Sequence, residues 1–580
     1  VEILAAGDRS SPLAYAAPPL VALLAGLVAA RVLGRWARRR ARRMADRGRL
    51  PAVLTAASLA RRPATGRVVA LLTVAVALLT FAATGWDVAA GNRERTARAA
   101  VGAPWVYRVD APDPGTLLKA VRRADPGGER AMAVGRWYQF YGEGDTIMVG
   151  VDSARLPAIG VWPGGGAGTL ASVRDLLRPD AAPGLPLHGP TVTVEAATTR
   201  ATATRPMSLA IILDDGTGPR RVDLGELAPG SRGYTAPLTG CADGCRLMAL
   251  SVRRFPGDEA PIAATLTIGN IRDADATAPA GLTDPRNWRA APAARAGQRL
   301  DLSFSPAGLG VALESTAPED AVIEYADTPT RLPTVLAGPA PADDADAGEF
   351  AFPAFGSAPD QWRVAGRFPA LPGAGARAML FDLETEVHQA VRVGLAAGSR
   401  SQFEVWTRGP MEPGLRSALA AAGVRVVAEH SLAAERVALA RFAPALALRL
   451  YLAAGATALL LAVGMLLLTA SVGVRARLRE LHALRLVGVP HAVLRRALRG
   501  EYAGLLATAI LVGVPAGIAG AALLLPAIPL VSIDQDALAP VYRLAGWWLP
   551  GAVALLLAVL AGTVMAAPRL VRRAERPAPR

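Results

Sequence analysis

Two sets of long apolar runs, separated by a long polar segment, constrain this chain more than any other feature of its sequence. Five runs are long enough to cross a bilayer, because a hydrocarbon core of about 30 Å needs about 20 helical residues. Two lie near the N-terminus and three near the C-terminus, with about 360 residues of mixed polarity between the second and the third. We therefore expect a multi-pass membrane protein that carries one large domain on one face of the membrane.

Arginine clusters set the orientation of the chain. Three short segments beside the apolar runs, residues 31–67, 474–501 and 569–580, together hold 24 arginines and four acidic residues. The whole chain has a net charge of +15, so its remainder is slightly acidic. Because Arg-rich short loops stay in the cytoplasm, the large domain is expected outside the cell membrane.

Basic runs also occur in nucleic-acid-binding proteins. Here they flank predicted spans and lack interleaved aromatic residues on which bases could stack. Attraction to anionic lipid of the inner leaflet explains them more simply. We therefore expect membrane lipid as a partner, and no nucleic acid.

The start of the chain differs from that of a secreted protein. It begins with Val1 rather than Met, and arginines follow its first apolar run, whereas in a signal peptide they precede it. With the orientation above, this first run enters the membrane from outside. We therefore expect Val1 to lie within a longer protein that has earlier spans, the alternative being translation from an alternative start codon.

The predicted fold class is an α-helical membrane protein with five transmembrane helices and a large extracytoplasmic α+β domain that carries an inserted β-sandwich. Residues 105–151 and 403–428 each combine strand-like and helical patterns, and the short runs between them alternate like sandwich strands. Two helical stretches, 87–100 and 432–448, would form a stalk between this domain and the membrane. The predicted boundaries are 1–30 for the external start and first span, 31–67 for a cytoplasmic linker, 68–86 for the second span, 87–170 and 328–446 for the two parts of the α+β domain, 171–327 for the sandwich, 447–473 for the third span, 474–501 for a cytoplasmic loop, 502–530 for the fourth span, 531–544 for an external loop, 545–568 for the fifth span and 569–580 for a basic tail.

The two cysteines, Cys241 and Cys245, lie four residues apart in GCADGCR. Outside the cytoplasm such a close pair favours a disulfide that fixes a turn. A zinc site would need two more ligands, and no histidine is near in sequence.

Signatures of catalysis are missing from the sequence. Lys119, the only lysine, follows no glycine loop, so the chain has no P-loop. None of the five histidines lies in a GxSxG or HExxH context. The acidic run of Asp343, Asp344, Asp346 and Glu349 could attract calcium, but its spacing differs from an EF-hand and its flanks resemble a solvated linker. We expect no enzyme activity in this chain, no cofactor and no metal.

The loop between the third and fourth runs, VRARLRELHALRLVGVPHAVLRRALRGE, carries the most specific pattern. It resembles the loop of FtsX/MacB-like ABC transporter permeases, in which a helix with Arg-Glu and Ala-Leu-Arg steps ends at a glycine. A second basic helix then leads to an acidic residue before the next span. Gly488 is suited to end the first helix, and Pro490 to open the second. The matching positions, which the resemblance implies form an ATPase-coupling site, are Arg479, Glu480, Leu484, Arg485, Gly488, Arg495, Arg496 and Glu501.

The layout strengthens this resemblance. One span, a large external domain and three further spans make up the module of that family, and residues 67–580 follow it. The first span would then end a preceding module of a duplicated-module permease. The resemblance implies a permease subunit that pairs with a separate cytoplasmic ABC ATPase, forms a dimer of permease modules, and serves export or mechanotransmission. Sparse charge within the spans suits transmission of motion better than an ion path.

A second interpretation remains open, a membrane-anchored binding protein whose sandwich recognises carbohydrate or a protein partner. Aromatic residues on a concave sandwich face would favour it, and the main candidates are Phe255, Phe304 and Tyr325. The sandwich could equally be a spacer. Association with an ATPase would separate the two interpretations.

Overall fold

A computed structural model gives the structure of the protein. It describes residues 12–61, 63–141, 144–178, 184–214, 219–239, 241, 244–258, 260–273, 281–291, 297–341, 348–352, 360–393, 401–441, 443–472, 483, 486, 488–527, 538–542 and 548–574. The chain divides into two compact units. Val1–Arg95 with Arg436–Arg580 is called the helical unit, and Thr96–Glu435 the sheet unit.

The helices are α1 (Pro12–Ala45), α2 (Leu50–Arg61), α3 (Pro63–Val101), α4 (Pro114–Ala124), α5 (Leu156–Ile159), α6 (Ala167–Leu177), α7 (Leu383–Val393), α8 (Pro413–Ala421), α9 (Leu432–Leu439), α10 (Ala443–Val472), α11 (His491–Leu524) and α12 (Trp548–Ala574). The strands are β1 (Trp105–Asp110), β2 (Ala131–Tyr141), β3 (Gly144–Val151), β4 (Leu185–Leu187), β5 (Thr191–Thr202), β6 (Ser208–Asp214), β7 (Pro219–Glu226), β8 (Gly230–Pro237), β9 (Cys245–Arg253), β10 (Ile262–Asp273), β11 (Trp288–Ala290), β12 (Gln298–Ser305), β13 (Gly308–Ser315), β14 (Ala321–Tyr325), β15 (Leu332–Ala337), β16 (Glu349–Phe352), β17 (Asp360–Phe368), β18 (Ala378–Asp382), β19 (Ser401–Thr407) and β20 (Arg425–Ser431).

Long apolar helices dominate the helical unit. Within the described residues, four segments are long and apolar enough to cross a membrane: Ala17–Ala45, Thr65–Val101, Ala445–Leu468 and Ala492–Leu524. Together with the large sheet unit, they confirm a helical membrane protein with a large extracellular domain. The predicted fifth span falls on α12, whose described apolar part, Leu549–Val559, is shorter than a bilayer requires. The count of five spans therefore stays a prediction.

Helix boundaries in this unit differ from those expected. α1 continues beyond residue 30 through the arginine cluster, because arginine is a good helix former and no breaker intervenes. α11 starts at His491, directly after Pro490 as expected for the second cytoplasmic helix, but it continues without a break past residue 502, the predicted start of the fourth span, and through Pro515. The return stalk was expected as one helix over 432–448, but α9 ends at Leu439 and α10 begins at Ala443. Pro444 explains this break, since a proline fits the first turn of a helix but in a helix interior clashes with the carbonyl four residues before it.

α3 occupies the centre of the helical unit. In the most apolar stretch of α3, 78% is buried, compared with 28%, 22% and 39% for the corresponding stretches of α1, α10 and α11. Val69, Leu72 and Val76 belong to a buried cluster that also contains residues of these three helices. α3 is therefore surrounded by protein over most of its apolar length.

A nine-stranded mixed sheet forms one part of the sheet unit, in the order β16-β17-β15-β18-β3-β2-β19-β1-β20. β3 with β18 and β15 with β17 are parallel pairs, and the other neighbours are antiparallel. One face buries a core with α4, α7 and α8, and the other with α5 and α6. The Asp113 carboxylate caps α4 by accepting the Thr116 N–H at 2.8 Å.

A β-sandwich is inserted between β3 and β15. One sheet has the order β12-β13-β10-β5-β8 and the other β11-β14-β9-β6-β7, with β4 paired to β9. The two sheets share one buried core. The predicted start of this insertion was residue 171, whereas its strands begin at Leu185. Residues 171–177 instead belong to α6, where Leu170, Val173 and Leu177 form an apolar face on the large sheet.

Candidate functional site

The predicted coupling loop is described only in part. Arg479, Glu480, Leu484 and Arg485 lie outside the described residues, and only the helical backbone of Arg495 is described. Arg496 is exposed on the first turns of α11, whereas Glu501, five residues further along the same helix, is buried. Gly488 precedes the helix as a turn residue.

Gly488 has the conformation that the sequence pattern suggested. Its φ is +88°, in the left-handed region that glycine adopts without steric cost. A Cβ placed there would meet no atom within 4 Å, so the backbone conformation and not crowding selects glycine. Pro490 follows in an extended conformation as the N-cap of α11, and its carbonyl accepts the Val493 N–H at 3.0 Å. Gly488 and Pro490 thus turn the chain into α11.

The start of α11 rests on α2. Thr55 Oγ1 donates to the Ala497 carbonyl at 3.2 Å and to the Pro51 carbonyl at 2.8 Å. A Cβ on Gly500 would lie 2.9 Å from Thr55 Oγ1, and one on Gly504 would lie 3.2 Å from a Leu59 methyl. The predicted ATPase-coupling site contained no residue of α2. The GxxxG spacing of Gly500 and Gly504 is the signal that could have revealed this close approach.

A second pair of glycines on α11 brings it against α3. A Cβ on Gly513 would lie 2.7 Å from Val76 Cγ1, and one on Gly517 would lie 2.6 Å from the Ala77 carbonyl oxygen. A Cβ on Gly455 of α10 would likewise lie 3.1 Å from the backbone nitrogen and Cα of Leu79. At these positions there is no room for larger side chains on α10 and α11, so both helices pack closely against α3 at glycines.

The outward half of α3 holds part of the segment between α11 and α12. Asn92 is buried, and its amide makes two hydrogen bonds with the Val541 backbone. Its Nδ2 donates to the carbonyl at 3.0 Å, and its Oδ1 accepts the N–H at 2.8 Å. Asn92 Nδ2 also donates to the Val88 carbonyl at 2.9 Å. One side chain thus fastens the described stretch 538–542 to α3.

The sheet unit contains a cluster of arginines and carboxylates at the ends of the parallel strands β3 and β18. Arg122 binds Asp152 and Glu384, each at 2.9 Å, and Arg178 binds Glu384 at 3.0 Å. Asp382 caps α7 by accepting the Thr385 N–H at 2.9 Å. The cluster therefore ties α4, β3, β18 and the end of α6 together.

Two carboxylates in this cluster have opposite pKa shifts. Burial acts to raise the pKa of Glu384, but hydrogen bonds and charge from Arg122, with charge from His388 and Arg178, hold the pKa well below its usual range. Full burial raises the pKa of Asp382, against the charge of Arg178 and the hydroxyl hydrogen bonds of Ser153 and Thr385. Glu384 is therefore the member of the cluster whose charge the fold favours.

The sandwich shows two of the features considered from sequence. Cys241 and Cys245 form a disulfide with a Cα–Cα distance of 5.0 Å. Of the aromatic candidates, Tyr325 is buried and Phe304 packs against the core. Phe255 is exposed, and the Arg205 guanidinium lies over its ring at 4.4 Å. These three residues do not form an aromatic binding face.

Metal and histidine chemistry receive no support among the described residues, which contain no group of three or more potential metal ligands. Asp343, Asp344 and Asp346 lie outside the described residues, and Glu349 pairs with Arg331 at 2.9 Å. His388 contacts Arg246 at 2.8 Å, and His430 contacts Glu435 at 3.0 Å.

The C-terminal part of the chain matches a known protein family. Residues 452–575 match the family model described as FtsX-like permease C-terminal. The match begins in α10 and takes in the predicted coupling loop, α11 and α12. No curated protein matches the chain.

Proposed function

We propose that this chain is the membrane subunit that couples a separate cytoplasmic ATPase to the sheet unit. The match of residues 452–575 to the FtsX-like permease C-terminal family confirms the resemblance to FtsX/MacB-like permeases. Permeases of this family typically pair with a cytoplasmic ABC ATPase and are themselves non-catalytic. The output would be export or mechanotransmission, and the working assembly a dimer of permease modules.

The continuity of α3 is the observation that carries this proposal. Its 39 residues run without a break from the helical unit into the start of the sheet unit, ending at Val101. At about 1.5 Å per residue, such a helix is nearly 60 Å long, roughly twice the hydrocarbon thickness. An unbroken helix of this length can transfer an axial or rocking displacement without a joint.

The proposed path begins at the coupling loop. Arg479, Glu480, Leu484 and Arg485 would contact the ATPase, and the left-handed Gly488 would keep the loop in register with α11. Displacement of α11 would reach α2 through Thr55 and α3 through the close contacts of Gly513 and Gly517. Arg495, Arg496 and Glu501 would complete the coupling site at the start of α11.

Co-purification with the ATPase encoded beside this chain tests the proposal. A Glu480→Arg/Gly488→Val variant reverses one charge and places a β-branched residue at positive φ, which costs about 1–2 kcal/mol. The matched control is Glu429→Arg/Gly464→Val, which makes the same changes at an exposed strand position and at a glycine with no atom within 4 Å. We expect the intact chain and the control to retain the ATPase and the coupling variant to lose it. Equal retention by all three would locate the contact elsewhere, and no retention by any would favour an anchored binding protein.

A further inference from the structure

Two arginines face one tryptophan at the outward boundary of α3 and α10. The Arg93 guanidinium carbon lies 4.8 Å from the centre of the Trp86 ring, and that of Arg449 lies 5.8 Å from the same ring. Trp86 and Arg93 are seven residues apart and share one face of α3. Arg449 comes from the first turns of α10, where Leu448 packs close to Gly85.

These two arginines have no carboxylate partner among the described residues. Arg93 Nη1 is buried and donates no hydrogen bond, although Arg93 as a whole is only partly buried. Arg425 of the sheet unit, which pairs with Asp110 at 2.6 Å, differs in this respect. Two guanidinium groups on one ring repel each other, and a buried unbonded N–H adds a further cost. An anion between them would relieve both.

The position along the helices indicates the source of the anion. Trp86 follows directly after the apolar run of α3, and tryptophan at such a boundary lies at headgroup level. Helical side chains lean towards the N-terminus of their helix, so Arg93 reaches from two turns further out back to Trp86. This direction points from the external side towards the membrane. Guanidinium groups match phosphate oxygens with paired hydrogen bonds.

We propose that Trp86, Arg93 and Arg449 form a binding site for a phosphate-type anion, supplied by the headgroup of a lipid in the outer leaflet. The lipid phosphate accepts hydrogen bonds from both guanidinium groups while the indole holds them by cation–π contact. The bound lipid would lie against the outward ends of α3 and α10. The site does not depend on ATPase coupling, so its test can fail or succeed separately.

Native mass spectrometry of the full chain released from nanodiscs of phosphatidylcholine and phosphatidylglycerol tests the site. The variant is Arg93→Gln/Arg449→Gln. The control is Arg408→Gln/Arg441→Gln, which removes the same charge from two exposed external arginines. We expect the wild type and the control to retain phosphatidylglycerol, and the variant to retain at least ~10-fold less because two charge-assisted contacts are lost. Equal retention by variant and control would overturn the proposal.

Two further measurements distinguish a lipid headgroup from a soluble anion and control for misfolding of the Gln variant. Inorganic phosphate is added to detergent-solubilised protein free of lipid, and thermal unfolding is followed. A phosphate-dependent rise in Tm that the variant loses, without lipid retention in the first experiment, would overturn the lipid assignment in favour of a soluble anion. Arg93→Lys/Arg449→Lys keeps the charge but not the paired geometry, so we expect retention between wild type and the Gln variant. Retention by the Lys variant equal to that of the wild type would contradict the guanidinium contacts.

Discussion

The two connections between the helical and the sheet unit differ in continuity, although the sequence predicts a helix for both. α3 leaves as one unbroken helix of 39 residues, whereas the return path is divided into α9, of eight residues, and α10. α3 is also the most buried of the four long apolar segments described, and α10 the least. The comparison shows one continuous and one interrupted connection, and under the proposed function the continuous α3 is the one expected to carry motion.

The largest effect is expected from interrupting α3. Insertion of two glycines after Arg95 should abolish transmission, because glycines in a helix interior cost about 1 kcal/mol each and shift the register of everything beyond them. The same insertion after Ala440 falls in the existing break and should leave transmission largely intact. Nucleotide-dependent hydrogen exchange of the sheet unit, in complex with the ATPase, measures both. Equal loss from both insertions would remove the distinction between the two connections.

Packing around α3 provides the next test. Gly513→Leu should destabilise the helical unit by about 1–3 kcal/mol or more, since its Cβ already overlaps Val76. Gly464→Leu on α10, where nothing lies within 4 Å, should be nearly neutral. Thermal unfolding in detergent compares the two variants. A similar Tm for both would mean that α3 is not tightly enclosed.

Within the sheet unit, Glu384→Gln should reduce stability at neutral pH by about 1–3 kcal/mol, because Arg122 and Arg178 lose a charged partner. The folded-state pKa of Glu384 lies below its unfolded value of about 4.3, so its contribution is present above that pH and is lost as the pH falls. Asp382, whose pKa is raised, acts in the opposite sense. Hydrogen exchange from pH 6 downwards should show a shallower acid loss in Glu384→Gln than in the control Glu429→Gln. Parallel pH profiles would contradict this role of Glu384.

The smallest effect is expected at Asn92. Asn92→Ala removes both hydrogen bonds to Val541 and should cost about 1–2 kcal/mol locally. Exchange at the Val541 amide should accelerate while the core of α3 stays protected. Unchanged protection of Val541 would show that this stretch is held by other contacts.

Local patterns predicted much of this architecture, whereas contacts between distant segments escaped them. Arginine clusters and apolar runs indicated the membrane layout, and the spacing of Cys241 and Cys245 indicated their disulfide. Gly488 could be recognised because a left-handed turn before Pro490 is a local demand. The cluster of Arg122, Asp152 and Glu384 could not be, since its members are far apart in the chain.

The break before α10 was overlooked for a different reason. The alanine-rich composition of residues 432–448 favours helix throughout, and a single residue, Pro444, overrides it because a proline is disfavoured in a helix interior. The docking of α2 on α11 depends on Gly500 and Gly504, whose meaning becomes clear only with a partner helix beside them.

The most direct test of the central claim is hydrogen exchange on the intact chain, reconstituted in nanodiscs with its ATPase, with and without a non-hydrolysable ATP analogue. Transmission through α3 predicts altered protection in the sheet unit, including β1 directly after α3, when the nucleotide binds. A stable complex whose sheet unit shows identical exchange in both states would contradict it.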